Sequence, residues 1–213
     1  MDAVKSVSPG FHYDNSEACC SNAYLLPRLR IILNQLKLPD SSKKLFDLGC
    51  GNGSVAQELM QWGYQVTGVD PSERGIALAR EAYPELDLHV GSAYDDLASQ
   101  YGQFPLAISL EVVEHVYSPR LFARCLHDLL KPQGVAIVST PYHGYWKNLA
   151  LAVTGKLDKH FSPLWDHGHI KFWSITSLTQ LLQEAGFTVE QVHRVGRIPL
   201  LAKSMILVAR RSS

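Results

Sequence analysis

The sequence predicts an α/β domain built on a parallel sheet with crossover helices, and two observations support this fold class. From Lys44 onward, short apolar runs alternate with segments of helical periodicity, as they do where helices join parallel strands. The chain has 213 residues, of which 46% are hydrophobic and 19% charged, a size and composition typical of one globular domain. We therefore expect a single domain over residues 1–213.

The first predicted strand, Lys44–Leu48, leads through a glycine-rich loop into a helix. Ser54 has the character of an N-cap for that helix, Gln57 would complete a capping box, and Gly63 would end the helix. The next three predicted elements are a strand, a helix and a strand, at 65–70, 72–83 and 86–90.

The second half of the chain continues the alternation. Ser118 and Pro119 begin a strongly amphipathic helix, because Ser is a common N-cap and Pro is favoured in the first turn. Ser174 begins a further helix, which Gly186 ends. Four predicted strands complete the pattern, at 106–110, 135–140, 188–195 and 204–209.

Two segments lie outside the alternation. Residues 1–43 carry a predicted helix over Pro27–Leu36 and form an N-terminal helical cap, and residues 141–173 form an irregular insertion. An open α/β sheet binds ligands beyond the carboxyl ends of its strands, so we expect the cap and the insertion to act as lids over a site there. Three aromatic residues of the cap would either close over a ligand or pack in the core: Phe11, Tyr13 and Tyr24.

The charge and cysteine content argue against several classes of protein. Twenty basic residues balance twenty acidic ones, so no broad nucleic-acid surface is expected. The first ten residues do not resemble a secretory signal, and no apolar stretch approaches the ~20 residues of a spanning helix. The four cysteines have no metal-binding spacing and indicate a reduced, cytoplasmic chain: Cys19, Cys20, Cys50 and Cys125.

The glycine-rich loop after the first strand favours a cationic ligand. Its glycines stand at 49, 51 and 53, whereas a dinucleotide fingerprint would place the third glycine at position 54, which is Ser54. Asp47 lies beside the loop, where its carboxylate would repel a pyrophosphate. A nicotinamide-dependent reductase is therefore disfavoured.

S-adenosylmethionine is a ligand of the required kind, since it carries a sulfonium and an ammonium and has no phosphate. Asp70 ends the second predicted strand, where a carboxylate can accept both ribose hydroxyls. Residues 91–94 follow the third strand, where an adenine edge would lie. The loop and Asp70 together predict S-adenosylmethionine as the cofactor.

The chain resembles the class I S-adenosylmethionine-dependent methyltransferases over roughly residues 40–210. The segments that carry the resemblance are DLGCGNG at 47–53, VDPS at 69–72, GSAYDDL at 91–97, LEVVEHV at 110–116, KPQGVAIVSTP at 131–141 and LLQEAGF at 181–187. The resemblance implies a Rossmann-like, mostly parallel sheet of seven strands, with helices on both faces and one antiparallel strand. It also implies a cofactor site formed by Asp47, Gly49, Cys50, Gly51, Gly53, Asp70, Pro71, Ser92, Ala93 and Glu111.

The segment Glu111-Val-Val-Glu-His115 is the candidate catalytic centre. If a helical turn begins here, Glu111, Glu114 and His115 share one face, and such donors suit a hard divalent ion such as Mg²⁺ or Mn²⁺. The pattern is similar to that of the ubiquinone-biosynthesis O-methyltransferases and of the small-RNA ribose methyltransferases, which implies a metal and, in the RNA enzymes, a later histidine. His167 or His169 would supply that histidine, and His169 completes the predicted metal set. Two other interpretations stay open: His115 and Glu114 as a metal-free catalytic pair, and a purely structural role.

The insertion at 141–173 is rich in aromatic residues and histidines, which suits a planar, mostly apolar acceptor. Packing of a compact lid on the sheet is the alternative explanation. Within the insertion, Trp146, Leu149, Ala150 and Val153 recur at helical spacing. Such a stripe either packs on its own domain or makes a peripheral contact with a membrane surface.

These observations predict a methyltransferase that transfers a methyl group from S-adenosylmethionine to a small molecule, at a hydroxyl oxygen of an aromatic or quinol-like compound. Two alternatives stand beside this prediction. One is an RNA 3′-terminal ribose 2′-O-methyltransferase, against which the neutral charge counts. The other is a non-catalytic cofactor-binding protein, since a fold does not fix a reaction.

Overall fold

Seven strands form one sheet in the computed structural model, which describes residues 13–36, 43–161, 164–165 and 168–212. In chain order the strands are β1 (Lys44–Leu48), β2 (Gln65–Asp70), β3 (Asp87–Val90), β4 (Phe104–Leu110), β5 (Leu130–Pro141), β6 (Phe187–Val195) and β7 (Ser204–Arg211). Their order across the sheet is β3-β2-β1-β4-β5-β7-β6. Neighbouring strands are parallel except where β7 pairs with β5 and β6. The predicted Rossmann-like sheet with one antiparallel strand is confirmed.

Helices cover both faces of this sheet, as predicted. They are α1 (Asn22–Gln35), α2 (Ser54–Gln61), α3 (Glu73–Ala82), α4 (Leu97–Tyr101), α5 (Pro119–Asp128), α6 (Tyr145–Val153), α7 (Leu157–Phe161) and α8 (Ile175–Glu184), with a 3₁₀ turn, η1, at Pro199–Leu201. Helices α1, α2 and α3 share one core, to which they contribute Leu29, Leu59 and Ile76. Helices α5 and α8 share the core on the other face, with Phe122 and Leu182.

The strands at the centre of the sheet are buried because both of their faces are covered. In β1, Leu45 joins the core of α1–α3, whereas Phe46 joins the core of α5 and α8. All residues of β5 from Gly134 to Thr140 are buried. This continuous burial fixes the carboxyl ends of β1, β4 and β5 side by side, and those ends carry the candidate site.

The predicted capping box at the start of α2 is wrong. Ser54 is the first residue of the helix, and the N-cap is Gly53, which has φ +77 and no side-chain cap. A left-handed residue is needed here because the loop turns sharply against α3. A Cβ at position 53 would lie 2.9 Å from the Cβ of Ala79.

Several other boundaries differ from the prediction. Helix α1 begins at Asn22 and contains Pro27, because its buried apolar face extends on both sides of the proline. Strand β5 begins at Leu130, which pairs with Phe104 ahead of a register shift. The insertion is only partly irregular, since it contains α6 and α7, and α4 was not predicted at all.

Candidate active site

The glycine loop folds back over the end of β2. The backbone N–H groups of Gly49 and Cys50 donate to the Val69 carbonyl at 2.8 and 3.0 Å. Gly49 has φ +91, and a Cβ on it would lie 2.4 Å from a methyl of Val112. This close approach requires glycine and brings the loop against the segment that follows β4.

Two buried carboxylates lie under this loop. Asp70 accepts hydrogen bonds from the N–H groups of Gly51 at 3.0 Å and Ser72 at 2.8 Å. Burial raises the pKa of Asp70 to about 6 even though these two bonds lower it. Burial, and then the charge of Asp70, raise the pKa of Asp47 to about 8. Within the part of the chain that the structure describes, one oxygen of Asp47 has no hydrogen-bond partner, and neither acid forms an ion pair with a basic residue. The pair is therefore suited to a cationic ligand.

Residues 13–17 cross the outside of the glycine loop. The side-chain amide of Asn52 donates to the carbonyls of Asn15 and Glu17, both at 2.9 Å. Arg74 donates to the carbonyl of Tyr13 at 2.6 Å. The Tyr13 ring lies so close to Gly51 that a Cβ there would be 2.3 Å from its hydroxyl oxygen. Tyr13 thus packs on the cofactor loop, whereas Phe11 lies outside the described residues.

The remaining predicted cofactor residues differ in what they can offer a ligand. Pro71 follows Asp70 directly, and Ser92 and Ala93 follow β3, at the predicted adenine side. The N–H of Ser92 donates to Asp95 at 2.8 Å, which fixes this turn. The Cys50 side chain is buried in the core of α1–α3, so within the glycine loop only the backbone of Cys50 could contact a ligand. The role of this residue set in cofactor binding stays a prediction.

Glu111 does not begin a helical turn, and this part of the prediction is wrong. Its backbone has φ +56, a strained value for a residue with a side chain. The carboxylate accepts hydrogen bonds from the hydroxyls of Ser139 at 2.8 Å and Ser204 at 3.0 Å. Burial raises the pKa of Glu111 to about 7, while the two hydroxyls lower it. The Tyr24 hydroxyl lies 3.2 Å from that of Ser204, so the network reaches α1.

Ser139 and Ser204 were not predicted as site residues. They lie 28 and 93 positions from Glu111, and only the pairing of β4, β5 and β7 brings the three together. No local motif marks a hydroxyl at such a separation. The side chains of a strand alternate between its two faces, but β5 and β7 are buried on both faces, so no pattern of apolar and polar residues marks the face on which Ser139 and Ser204 lie.

Three of the four predicted metal ligands converge. Ligand atoms of Glu114, His115 and His169 all lie within 4.8 Å of one another. Glu114 is 1% exposed, and neither of its carboxylate oxygens has a hydrogen-bond partner in the described part of the chain. Burial first, and then the charge of Glu111, raise the pKa of Glu114. Glu111 itself lies outside this cluster, and His167 lies outside the described residues.

The segment around His169 is held in place by backbone contacts. The N–H groups of Ile170 and Lys171 donate to the Glu114 carbonyl at 2.9 and 3.0 Å. The Nδ1 of His115 lies 3.2 Å from the Gly168 carbonyl, so an Nδ1–H tautomer would donate to that carbonyl and carry its lone pair on Nε2. Burial, and then His115, lower the pKa of His169 to about 4, which keeps its imidazole neutral.

The insertion has seven aromatic residues, and the ring centroid of one of them, Trp165, lies 5.2 Å from that of His169 and 6.2 Å from that of His115. The other six divide into three groups. Tyr142 and Trp173 belong to the core of α5 and α8. Phe161 and Phe172 pack edge to face, with ring centroids 4.7 Å apart, and the His143 ring lies 5.1 Å from Phe172. The third group, on α6, is exposed. Only some of the aromatic residues that were predicted to bind the acceptor therefore lie near a histidine of the insertion.

The comparisons with known proteins identify the family. Residues 16–192 match the family described as a methyltransferase domain. The chain belongs to this family. The methyltransferase is 34% identical over 163 residues to a ubiquinone biosynthesis O-methyltransferase of Ruegeria pomeroyi, a match that covers 74% of this chain and 64% of that relative. It is 29% identical over 176 residues to the protein of the same name from Thiobacillus denitrificans, covering 81% of this chain and 76% of that one.

A solved structure supports the same assignment of fold. The S-adenosylmethionine dependent methyltransferase from Mesorhizobium loti superposes with a TM-score of 0.61 at 21% identity, covering 87% of this chain and 96% of that chain. The methyltransferase is thus a class I S-adenosylmethionine-dependent enzyme, and the family resemblance is confirmed. Among the described residues, no helix has the length and apolar character needed to cross a membrane.

Proposed function

We propose that this methyltransferase transfers the methyl group of S-adenosylmethionine to a hydroxyl oxygen of a small aromatic or quinol-like molecule. The convergence of Glu114, His115 and His169 beside the cofactor loop carries the proposal, because these groups can hold a hydroxyl and handle its proton. The names of the curated relatives agree with O-methylation. The match spans only 64% of the Ruegeria relative, so the acceptor belongs to the proposal.

The cofactor brings the activated methyl group, so the protein acts mainly by positioning. The carboxylates of Asp47 and Asp70, in their ionised form, would attract the cationic cofactor, and Asp70 would accept hydrogen bonds from its ribose hydroxyls. Glu111, fixed by Ser139 and Ser204, faces the same region from the end of β4. Water is excluded where Glu114 is buried. The acceptor oxygen is then held in line with the sulfonium.

The residues present also fit a divalent metal. Glu114, His115 and His169 would hold it, because neither Glu114 oxygen has a hydrogen-bond partner among the described residues and the Gly168 carbonyl orients His115. A bound divalent ion would lower the pKa of a hydroxyl that contacts it. Two imidazoles and one carboxylate suit Mn²⁺ or Zn²⁺ better than the predicted Mg²⁺. Without a metal, Nε2 of His115 is the group that would accept the hydroxyl proton.

An acceptor screen tests the proposal. We expect S-adenosylhomocysteine to form with catechols or hydroquinones, and not with amines or with an RNA oligonucleotide that has a free 3′ end, measured by mass spectrometry. Turnover only on RNA would favour the ribose methyltransferase. Cofactor binding by calorimetry with no turnover on any acceptor would favour the non-catalytic alternative.

The metal set is tested by direct binding. We expect Mn²⁺ to bind the wild-type protein in calorimetry, and we expect His169→Ala to weaken that binding by about tenfold or more, as loss of a ligand does. His89→Ala is the matched control, since His89 is an exposed histidine on β3 paired with Asp87. Equal binding by wild type and His169→Ala, with turnover unaffected by EDTA, would assign His115 as a metal-free base.

A further inference from the structure

A second pair of histidines lies in the insertion, apart from the candidate metal ligands. His143 follows β5, His160 belongs to α7, and the centroids of their rings are 5.3 Å apart. His143 is 8% exposed. Its ring stacks on that of Phe161 at 5.9 Å and packs edge to face with that of Phe172 at 5.1 Å. His143 therefore lies among aromatic rings, where solvent offers little to a polar atom.

One ring nitrogen of each histidine is unpaired in the described part of the chain. Nδ1 of His143, Nε2 of His160 and Oδ1 of Asn148 are buried, and no described residue gives any of them a hydrogen bond. Asn148 lies beside His143 and partly offsets the lowering of the His143 pKa, but the two groups do not meet in hydrogen-bonding geometry. Unpaired buried polar atoms are unfavourable, so three of them together indicate that a polar group enters to bond them. We call His143, Asn148 and His160 the distal cluster.

The distal cluster lies close to the candidate active site. The N–H of His143 donates to the carbonyl of Trp173 at 3.0 Å. Trp173 is only four residues from His169, in the segment that is bonded to the Glu114 carbonyl, so the Cα atoms of His169 and Trp173 are at most ~14 Å apart. The charges also interact, since His169 lowers the pKa of His143 and His160 lowers that of His169. One small molecule can therefore contact both groups of histidines.

The hydrogen-bonding types of the distal cluster define the group that fits it. The amide oxygen of Asn148 only accepts, so its partner must carry a proton. Burial, and then the charge of Lys147, lower the pKa values of His143 and His160, so both imidazoles are neutral and offer either an N–H or a lone pair. A hydroxyl can donate to the amide and accept from an imidazole, whereas a carboxylate can only accept. The charge of Lys147 opposes an ammonium group.

We propose that the distal cluster binds a second hydroxyl of the acceptor, across the ring from the hydroxyl that is methylated. The cluster selects dihydroxy aromatic acceptors over monohydroxy ones, because a phenol without the second hydroxyl leaves buried polar atoms unpaired. His143, Asn148 and His160 determine specificity and take no part in proton transfer. This inference rests on the proposed function, since it requires an aromatic hydroxyl as the acceptor.

Two matched ligands test the distal cluster. Calorimetry on the full chain saturated with S-adenosylhomocysteine compares methylhydroquinone, kept reduced, with 3-methylphenol, which lacks one hydroxyl. We expect the wild type to bind methylhydroquinone about tenfold or more tightly. His160→Phe and Asn148→Leu should bring this ratio of affinities toward one. His160→Gln should restore part of it, because its amide nitrogen can replace Nε2 of the imidazole.

A control on another element keeps the test specific. His193→Phe removes a half-buried histidine of β6 that bonds to Gln191, and it should leave the ratio unchanged. Thermal unfolding should show every variant folded. A wild-type ratio near one, or an unchanged ratio in both His160→Phe and Asn148→Leu, would overturn the inference and assign the cluster to bound water. Methyl transfer to phenols with such a ratio overturns the inference alone, whereas binding of no phenol by the wild type overturns the proposed function with it.

Discussion

At the scale of single residues, Asp47 links the cofactor site to pH. Its pKa of about 8 in the ligand-free protein lies well above the ordinary value of 3.8, because the side chain is buried beside Asp70. Tyr13 and Cys50 are the other titratable groups whose charges interact with it, and both are neutral near pH 7. An acid with a raised pKa destabilises the ligand-free fold as pH rises toward that pKa, and a cationic ligand removes this cost.

We therefore expect S-adenosylmethionine binding at pH 7 to release a proton. Its affinity should rise with pH between 6 and about 8, by at most about tenfold per pH unit, and level off above. Calorimetry in buffers of different ionisation enthalpy measures the released proton directly.

Asp47→Asn is the matched variant for this experiment, since it keeps the shape of the side chain and removes the charge. It should bind the cofactor more weakly, and the pH dependence between 6 and 8 should shrink. A wild-type protein that takes up no proton and releases none would contradict the assignment of the raised pKa to Asp47.

Residue motifs near one another in sequence were the easiest features to predict. Asp47, the three loop glycines and Asp70 stand at fixed positions relative to two strands, so the pattern alone located them. The orientation of Glu111 was not predictable in the same way. No preference of the neighbouring sequence favours its left-handed backbone conformation. The hydroxyls of Ser139 and Ser204, which lie on strands distant in sequence, hold its carboxylate.

At the scale of elements, β7 has a role beyond completing the sheet. Ser204, its first residue, donates to the carboxylate of Glu111, a partly buried residue. Removal of one donor from a buried carboxylate costs roughly 1–3 kcal/mol, because the oxygen loses its partner without regaining water. We expect Ser204→Ala to lower the free energy of unfolding by about this amount and to weaken cofactor binding, measured by denaturation and calorimetry.

The conservative variant Ser204→Thr retains the hydroxyl and should restore cofactor binding toward that of wild type. If Ser204→Ala destabilises the fold while binding the cofactor with unchanged affinity, Glu111 contributes to stability alone.

Helix α6 shows a different limit of sequence reasoning. Its apolar stripe was recognisable from spacing, but the direction in which the stripe faces depends on packing that no local pattern contains.

At the scale of the whole molecule, alternating strands and helices were sufficient to predict a parallel sheet with crossover helices and a ligand site at the carboxyl ends of its strands, whereas the helices on both faces were implied by the family resemblance. The presence of one antiparallel strand came only from the family resemblance, and the position of β7 between β5 and β6 was not predicted, because the order of strands in a sheet leaves no mark in strand composition. The convergence of His169 with Glu114 and His115 depends on backbone contacts across the insertion. The proposed chemistry therefore combines a locally encoded cofactor loop with a centre assembled by tertiary contacts.

The bond from Ser204 to Glu111 has a consequence for synthesis on the ribosome. The loop, Asp70 and Glu111 leave the exit tunnel long before position 204 does, since translation proceeds from the amino end. A nascent chain halted before β7 holds Glu111 without one of its two hydroxyl partners. The two hydroxyl bonds that hold the Glu111 carboxylate are therefore complete only after β7, the last described strand, has been synthesised.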